Sequence, residues 1–157
     1  MEIVKRVTTE TAHIVRNAFS VRCSMSVHGH KLLWEIVLTG PIDKTSGMII
    51  DFKALKPIKD FIDKFDHATI LWKDEQEHIK QFFLDNFDRV VITQKNPTAE
   101  NMSRLVLKVS NNILHEQFGA DYLIKEVRVW ETDTGCAIAD EFDEDDNITL
   151  LQSRSGE

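Results

Sequence analysis

Cysteine is nearly absent from this chain, with only Cys23 and Cys136. Two thiols cannot form the disulfide framework of a small secreted fold, and they point to a reducing compartment, the cytoplasm. Proline and glycine are scarce too, at three and six residues, which excludes collagen-like and low-complexity architectures. No apolar run approaches the length needed to span a bilayer. The first residues, MEIVKRVTTETAHIV, lack an apolar core and a small-residue cleavage site, so no secretory signal is expected. Positive charge is also in deficit: 19 Lys and Arg face 26 Asp and Glu, a formal charge of −7. Nucleic-acid binders carry a basic footprint and anionic membranes attract basic segments, so neither partner is expected.

What remains is an ordinary globular composition, 42% hydrophobic and 29% charged. The 157 residues fall within the roughly 100–200 residues of one domain and can bury a core unaided. Residues 2–8 (EIVKRVT) read as a first strand, and 31–39 (KLLWEIVLT) as a second that stops at Gly40-Pro41. Phe52, Leu55, Ile58, Phe61, Ile62 and Phe65 then recur at helical spacing, with Pro57 near the helix start. Residues 75–87 read as a second helix and 89–93 as a β-branched strand. Thr98 is the expected N-cap of the longest helix, Glu100 lies in its first turn, and Gly119 is its stop. Residues 122–131 and 136–142 supply the last strands. This order predicts an α+β fold, an antiparallel sheet with helices packed on one face. The expected domain spans 1–142, and 143–157 form an acidic, then polar tail expected to be partly disordered.

The six histidines carry more chemistry than the rest. His28-Gly29-His30 opens the second strand, and residues two apart on a strand share a face, so both imidazoles can reach one metal. Gly29 between them admits a close backbone neighbour. The first strand can return His13 to the same face. Three His without a fourth protein ligand describe an open, catalytic zinc site. Taken alone, the pair is more often two ordinary histidines in a turn.

Cys23 precedes this pair on a loop, either as a thiolate base beside a cation or as a small buried hydrophobe. Cys136 has only the second reading. In Asp66-His67 the carboxylate can orient the imidazole, or the histidine can simply end a helix. Glu131, after Trp130, can accept the two parallel N–H groups of a pterin or guanine edge, or be an exposed strand-end residue. His78 and His115 read as surface histidines. Arg16, Arg22 and Lys31 read as solvated surface charge.

Taken together, these residues resemble the 6-pyruvoyltetrahydropterin synthase/6-carboxytetrahydropterin synthase family of the tunnelling fold. The segments that carry the resemblance are Thr11-Ala12-His13, then Cys23 with His28-Gly29-His30, and Gly47-Met48-Ile49-Ile50-Asp51-Phe52. Phe65-Asp66-His67, Asn96-Pro97-Thr98-Ala99-Glu100-Asn101 and Val129-Trp130-Glu131-Thr132 follow in the family's order, so the match covers about residues 8–132. The resemblance implies that His13, His28 and His30 ligate zinc. It makes Cys23 the general base, with Asp66 and His67 the proton-relaying dyad. Glu131 would anchor the pterin ring, and Thr98 and Glu100 would help complete the pocket.

The implied assembly is a homohexamer of two stacked trimers whose sheets close into barrels. The implied substrate is 7,8-dihydroneopterin triphosphate. The favoured product, of the queuosine (7-deazapurine) branch, is 6-carboxy-5,6,7,8-tetrahydropterin, formed with release of triphosphate and acetaldehyde. The alternatives are the 6-pyruvoyltetrahydropterin product and a non-catalytic pterin- or purine-binding oligomer. Two departures stand out. Thr9 occupies a position, four before His13, that is usually aromatic in the family. Four residues, Ser24 to Val27, separate Cys23 from His28, against three in the bacterial carboxy enzymes and five in the animal pyruvoyl ones.

Overall fold

Strands β1 (Glu2–His13) and β2 (His28–Thr39) pair antiparallel along their whole length, from Glu2 opposite Thr39 to His13 opposite His28. Leu32, Trp34, Ile36 and Leu38 alternate along β2 and are all buried, which makes one face of this hairpin the floor of the core. The computed structural model describes residues 1–141 and the backbone of a strand at Leu150–Arg154. The remainder of the expected tail, 143–149 and 155–157, lies outside the described residues.

Five further strands complete the sheet: β3 (Ala68–Trp72), β4 (Val90–Thr93), β5 (Leu123–Thr132), β6 (Gly135–Ala139) and β7 (Leu150–Arg154). Their order is β6-β5-β2-β1-β3-β4-β7. The helices are α1 (Val21–Met25), α2 (Lys56–Ile62), α3 (Glu77–Asn86) and α4 (Ala99–Phe118). Short 3-10 turns, Phe52–Leu55 and Asp63–Phe65, flank α2, and Pro57 sits in its first turn, where the missing N–H costs nothing. No helix of the described residues is long and apolar enough to cross a membrane.

The α+β class holds, but two expectations about the layers are corrected. The sheet is mixed, because β3 runs parallel to both β1 and β4. Parallel neighbours need a crossover, and α3 supplies it between β3 and β4. Nor do the helices share a face. Ile70 and Val91 join the core with Leu55, Ile62, Leu105 and Leu107 of the α2 and α4 side. Leu71 and Val90 point the other way and cluster with Ile14 and with Phe83 of α3. Strand residues alternate faces, so β3 and β4 are buried from both sides.

Thr9 is buried, and its hydroxyl accepts the indole N–H of the fully buried Trp34 at 2.9 Å. Thr9 in turn meets the Thr11 hydroxyl at 2.9 Å, which donates to the Phe65 carbonyl at 2.9 Å. The Trp34 ring stacks on Phe65 with centroids 5.6 Å apart. A large aromatic thus fills the core from β2, and the small hydroxyl on β1 satisfies its polar end. This relay ends at Phe65, the residue before Asp66.

Helix α4 begins as expected. Thr98 Oγ1 accepts the Asn101 N–H at 3.2 Å, and Gly119 ends the helix at φ +85°, a conformation suited to glycine. The Asn111 side chain exchanges hydrogen bonds with the backbone of Ile124, at 3.1 and 2.8 Å, which fixes α4 against the start of β5.

Candidate functional site

The register of the first hairpin assembles the three histidines. His13 and His28 are directly opposite, and His30 is two residues along on the same face. Ring centroids lie 4.5 Å apart for His13–His28 and 5.2 Å for each other pair. One nitrogen from each ring falls within 4.8 Å of the others. Gly29 between them keeps the strands in close approach, since a Cβ there would lie 3.2 Å from the Thr11 carbonyl oxygen across the hairpin, a tight contact.

The protonation pattern suits ligation. A carbonyl only accepts, so the 2.9 Å contact of His13 Nδ1 with the Pro97 oxygen places the ring proton on Nδ1. His28 Nδ1 meets the Ser26 carbonyl at 3.1 Å in the same way. The lone pair of His13 therefore sits on Nε2, which is buried and has no hydrogen-bond partner. Burial, reinforced by the neighbouring His28 and His30, pushes the His13 pKa down to about 4 despite the Pro97 contact. A buried, neutral, unsatisfied imidazole nitrogen facing two more imidazoles fits a divalent metal with positions left open for substrate. The Thr98 cap has its place here, since it fixes the start of α4 that brings the Pro97 carbonyl to His13.

Glu131 Oε1 lies 3.9 Å from His13 Nε2. The β5–β6 pairing shifts register between Trp130 and Thr132, and such a bulge re-aims the residue it contains. Glu131 lines a cavity of about 640 Å³ together with His30, Lys31, Trp130 and Glu35. It also lines a smaller one of about 240 Å³ with Glu100 and Cys136. Two expected pocket residues, Glu131 and Glu100, therefore share a concavity.

Asp66 and His67 do not end α2. They follow the 3-10 turn Asp63–Phe65 and lead directly into β3. Asp66 Oδ2 holds His67 Nδ1 at 2.9 Å, and its Oδ1 accepts the Glu10 N–H at 2.8 Å. The His67 N–H donates to the Glu10 carbonyl at 2.7 Å, and its φ is +52°, an uncommon conformation for a non-glycine residue. Burial draws the Asp66 carboxyl upward, but the Glu10 N–H, His67 and Arg89 outweigh it and hold its pKa below the ordinary value. The imidazole of His67 stays exposed and lines a cavity of about 340 Å³ with His30. His67 of the dyad and His30 of the histidine cluster thus open on one space.

Cys23 lies in α1, not in a loop, and is half-buried. It belongs to neither the histidine cluster nor the three cavities just described. Its carbonyl accepts the Val15 N–H at 3.2 Å, which ties its backbone to the segment just beyond His13.

Arg16 corrects the surface-charge expectation. Its side chain is 19% exposed and paired with the buried Glu75 at 2.6 Å. Arg22, Lys31, His78 and His115 are exposed, as expected. Glu35 was not anticipated. Its carboxylate is 6% exposed and binds Arg6 at 2.7 Å, and it accepts the Trp130 indole N–H at 3.1 Å. The available signal was a lone acid inside the apolar run 31–39.

The profile of the 6-pyruvoyl tetrahydropterin synthase family matches residues 2–141. A 6-carboxy-5,6,7,8-tetrahydropterin synthase of Helicobacter pylori is 30% identical over 132 residues, covering 80% of this chain and 66% of its own length. This chain therefore spans just under two thirds of that relative. The enzyme of the same name from Rickettsia felis is 32% identical over 109 residues, 68% of this chain and 77% of its own. Among solved structures, an uncharacterized protein of Wolinella succinogenes superposes with TM-score 0.71 at 18% identity, covering 90% of this chain and 98% of the other. The 6-pyruvoyl tetrahydropterin synthase of Caenorhabditis elegans gives 0.61 at 22% identity, with 90% and 96% covered. At these identities the structures share the fold.

Proposed function

This chain belongs to the 6-pyruvoyl tetrahydropterin synthase family, and from that premise we propose that it is a zinc-dependent lyase acting on 7,8-dihydroneopterin triphosphate. With one water consumed, the products are 6-carboxy-5,6,7,8-tetrahydropterin, triphosphate and acetaldehyde, the chemistry of the queuosine branch. The observation that carries this reading is the buried, unpartnered Nε2 of His13, set among His28 and His30 and beside Glu131. The printed names of the Helicobacter and Rickettsia relatives favour the carboxy product.

His13, His28 and His30 would hold the zinc, with Nδ1 of the first two fixed by backbone carbonyls. When bound, zinc supplies Lewis-acid stabilisation of the negative charge that develops as a neighbouring carbon loses its proton. Glu131 accepts the paired N–H groups of the pterin pyrimidine edge and orients the ring. Thr98, through the α4 cap, and Glu100, in the adjoining cavity, complete that pocket. Cys23, as thiolate, takes the proton from the substrate side chain. Asp66 stays ionised and holds the Nδ1 proton of His67, which leaves Nε2 of that ring to accept and return protons.

The assembly is a homohexamer, a dimer of trimers, in the cytoplasm. Exposed Phe19, Val21 and Met25 around Cys23 support burial of that segment by a neighbouring copy. Incubating the zinc-loaded protein with 7,8-dihydroneopterin triphosphate and identifying products by mass tests the reading. Carboxytetrahydropterin and acetaldehyde are expected. A retained three-carbon side chain would favour the pyruvoyl enzyme instead, and binding without triphosphate release would leave a pterin-binding oligomer.

A further inference from the structure

We propose that the pairing of half-buried Arg16 with the buried Glu75 is a positioning device for Cys23, holding α1 to the strand end that carries His13. The inference rests on the reading of Cys23 as the base. Helix α1 has five residues, none of them buried, and no side-chain N-cap bond. A helix that short is not stable on propensity, and most helices are held by packing an apolar face. This one is held by polar ties instead. The Val15 N–H donates to the Cys23 carbonyl at 3.2 Å. Arg16 Nη1 donates to the Ser24 carbonyl at 2.6 Å and approaches Met25 Sδ at 3.8 Å.

The guanidinium is itself fixed from behind. Nε and Nη2 meet the two oxygens of Glu75 at 2.6 and 2.9 Å, and the Glu75 side chain is 1% exposed. The Gln76 N–H adds a third donor to that carboxylate at 2.8 Å. Arg16 is also bound through its backbone. Its N–H donates to Asn96 Oδ1 at 3.1 Å, and Asn96 Nδ2 donates to its carbonyl at 2.5 Å. Asn96 precedes Pro97, whose carbonyl fixes His13. One arginine therefore links the Cys23 helix to the segment that orients a metal ligand.

Stability alone does not explain this arrangement. A buried ion pair loses solvation on folding, and an apolar pair of similar volume is often as stable or more so. What such a pair could not do is reach the Ser24 carbonyl. Lysine could not replace the arginine either, because a single ammonium lacks the fork that grips Glu75 and Ser24 together.

The test compares Glu75→Gln, Arg16→Lys and the apolar double variant Arg16→Met/Glu75→Leu with the parent protein. Four quantities are read: kcat and KM on 7,8-dihydroneopterin triphosphate, bound zinc, and the rate of Cys23 alkylation by iodoacetamide from the mass of its peptide. All variants are expected to keep their zinc, with kcat down about tenfold or more and KM within about threefold. Cys23 alkylation should rise about fivefold as α1 is released. The double variant keeps the test decisive if a single variant fails to fold, because it leaves no unpaired buried charge.

A folded double variant with both kcat and alkylation within about twofold of the parent overturns the proposal. So does a change in either quantity without the other while Cys23→Ser abolishes turnover. If Cys23→Ser turns over normally, the base assignment fails. The alkylation rate then still decides whether the pair holds α1.

Discussion

Replacing Asp66 by Asn probes the proposed proton relay with little change in shape. The asparagine oxygen can still accept the Glu10 N–H now bound to Oδ1 at 2.8 Å, so the backbone anchor survives. The other position changes sign. Where Oδ2 accepts from His67 Nδ1 at 2.9 Å, an amide NH2 can only donate. The imidazole must then present its lone pair at Nδ1 and carry its proton on Nε2, the atom proposed to accept one. A charge-assisted hydrogen bond is worth about 1.5–3 kcal/mol when buried. His67 is 72% exposed, so solvent screening reduces the stability loss to about 1 kcal/mol or less. Losing a positioned acid–base group costs about 100-fold or more in rate. Steady-state turnover should therefore fall about 100-fold while zinc content stays at the parent level and the melting temperature moves by only a few degrees. A variant whose kcat stays within about threefold of the parent would refute the relay role of the dyad.

Other consequences follow from the same contacts. Thr9→Val leaves the Trp34 N–H buried without its acceptor, and urea denaturation should show a loss of about 1–3 kcal/mol; a loss below about 0.5 kcal/mol would contradict the relay through Thr9 and Thr11. Gly29→Ala places a Cβ against the Thr11 carbonyl at 3.2 Å, so the hairpin must open slightly. Zinc affinity should fall by about tenfold in a competition titration, and unchanged affinity would free Gly29 from that role. Asp66, Glu35 and Glu75 all have carboxyl pKa values held below the ordinary range. Their stabilisation is fully present above the unfolded values, about 4, and is lost as pH falls through the folded ones. The urea midpoint should drop between about pH 4.5 and pH 2, and a flat profile there would contradict these contacts.

The residues that sequence patterning located are those whose partners are close along the chain or set by a simple period. The two-residue spacing of His28 and His30 predicted a shared face, and the hairpin register delivered it. Thr98 and Gly119 marked α4 because capping is local chemistry. β3 escaped notice for a physical reason. Its five residues, ATILW, pack against helices on both faces, which removes the polar alternation that announces a strand. Without it the parallel pairing, and the placement of α3 on the opposite face, had no local signature.

Arg16 was misread because its partner, Glu75, is 59 positions away, and nothing local distinguishes a clamped arginine from a solvated one. The role of Thr9 lies in a contact across the strands, the hydrogen bond it accepts from Trp34, 25 positions away.

The most direct measurement of the central claim is product release by the zinc-loaded protein beside His13→Ala, each incubated with 7,8-dihydroneopterin triphosphate. The account predicts triphosphate, acetaldehyde and carboxytetrahydropterin in equal amounts from the parent protein. It predicts none from a His13→Ala variant that has lost zinc but kept its circular dichroism, since the core of Trp34, Phe65 and Leu105 lies outside the cluster. A parent protein that releases none of these products, or a His13→Ala variant that releases them at the parent rate, would contradict it.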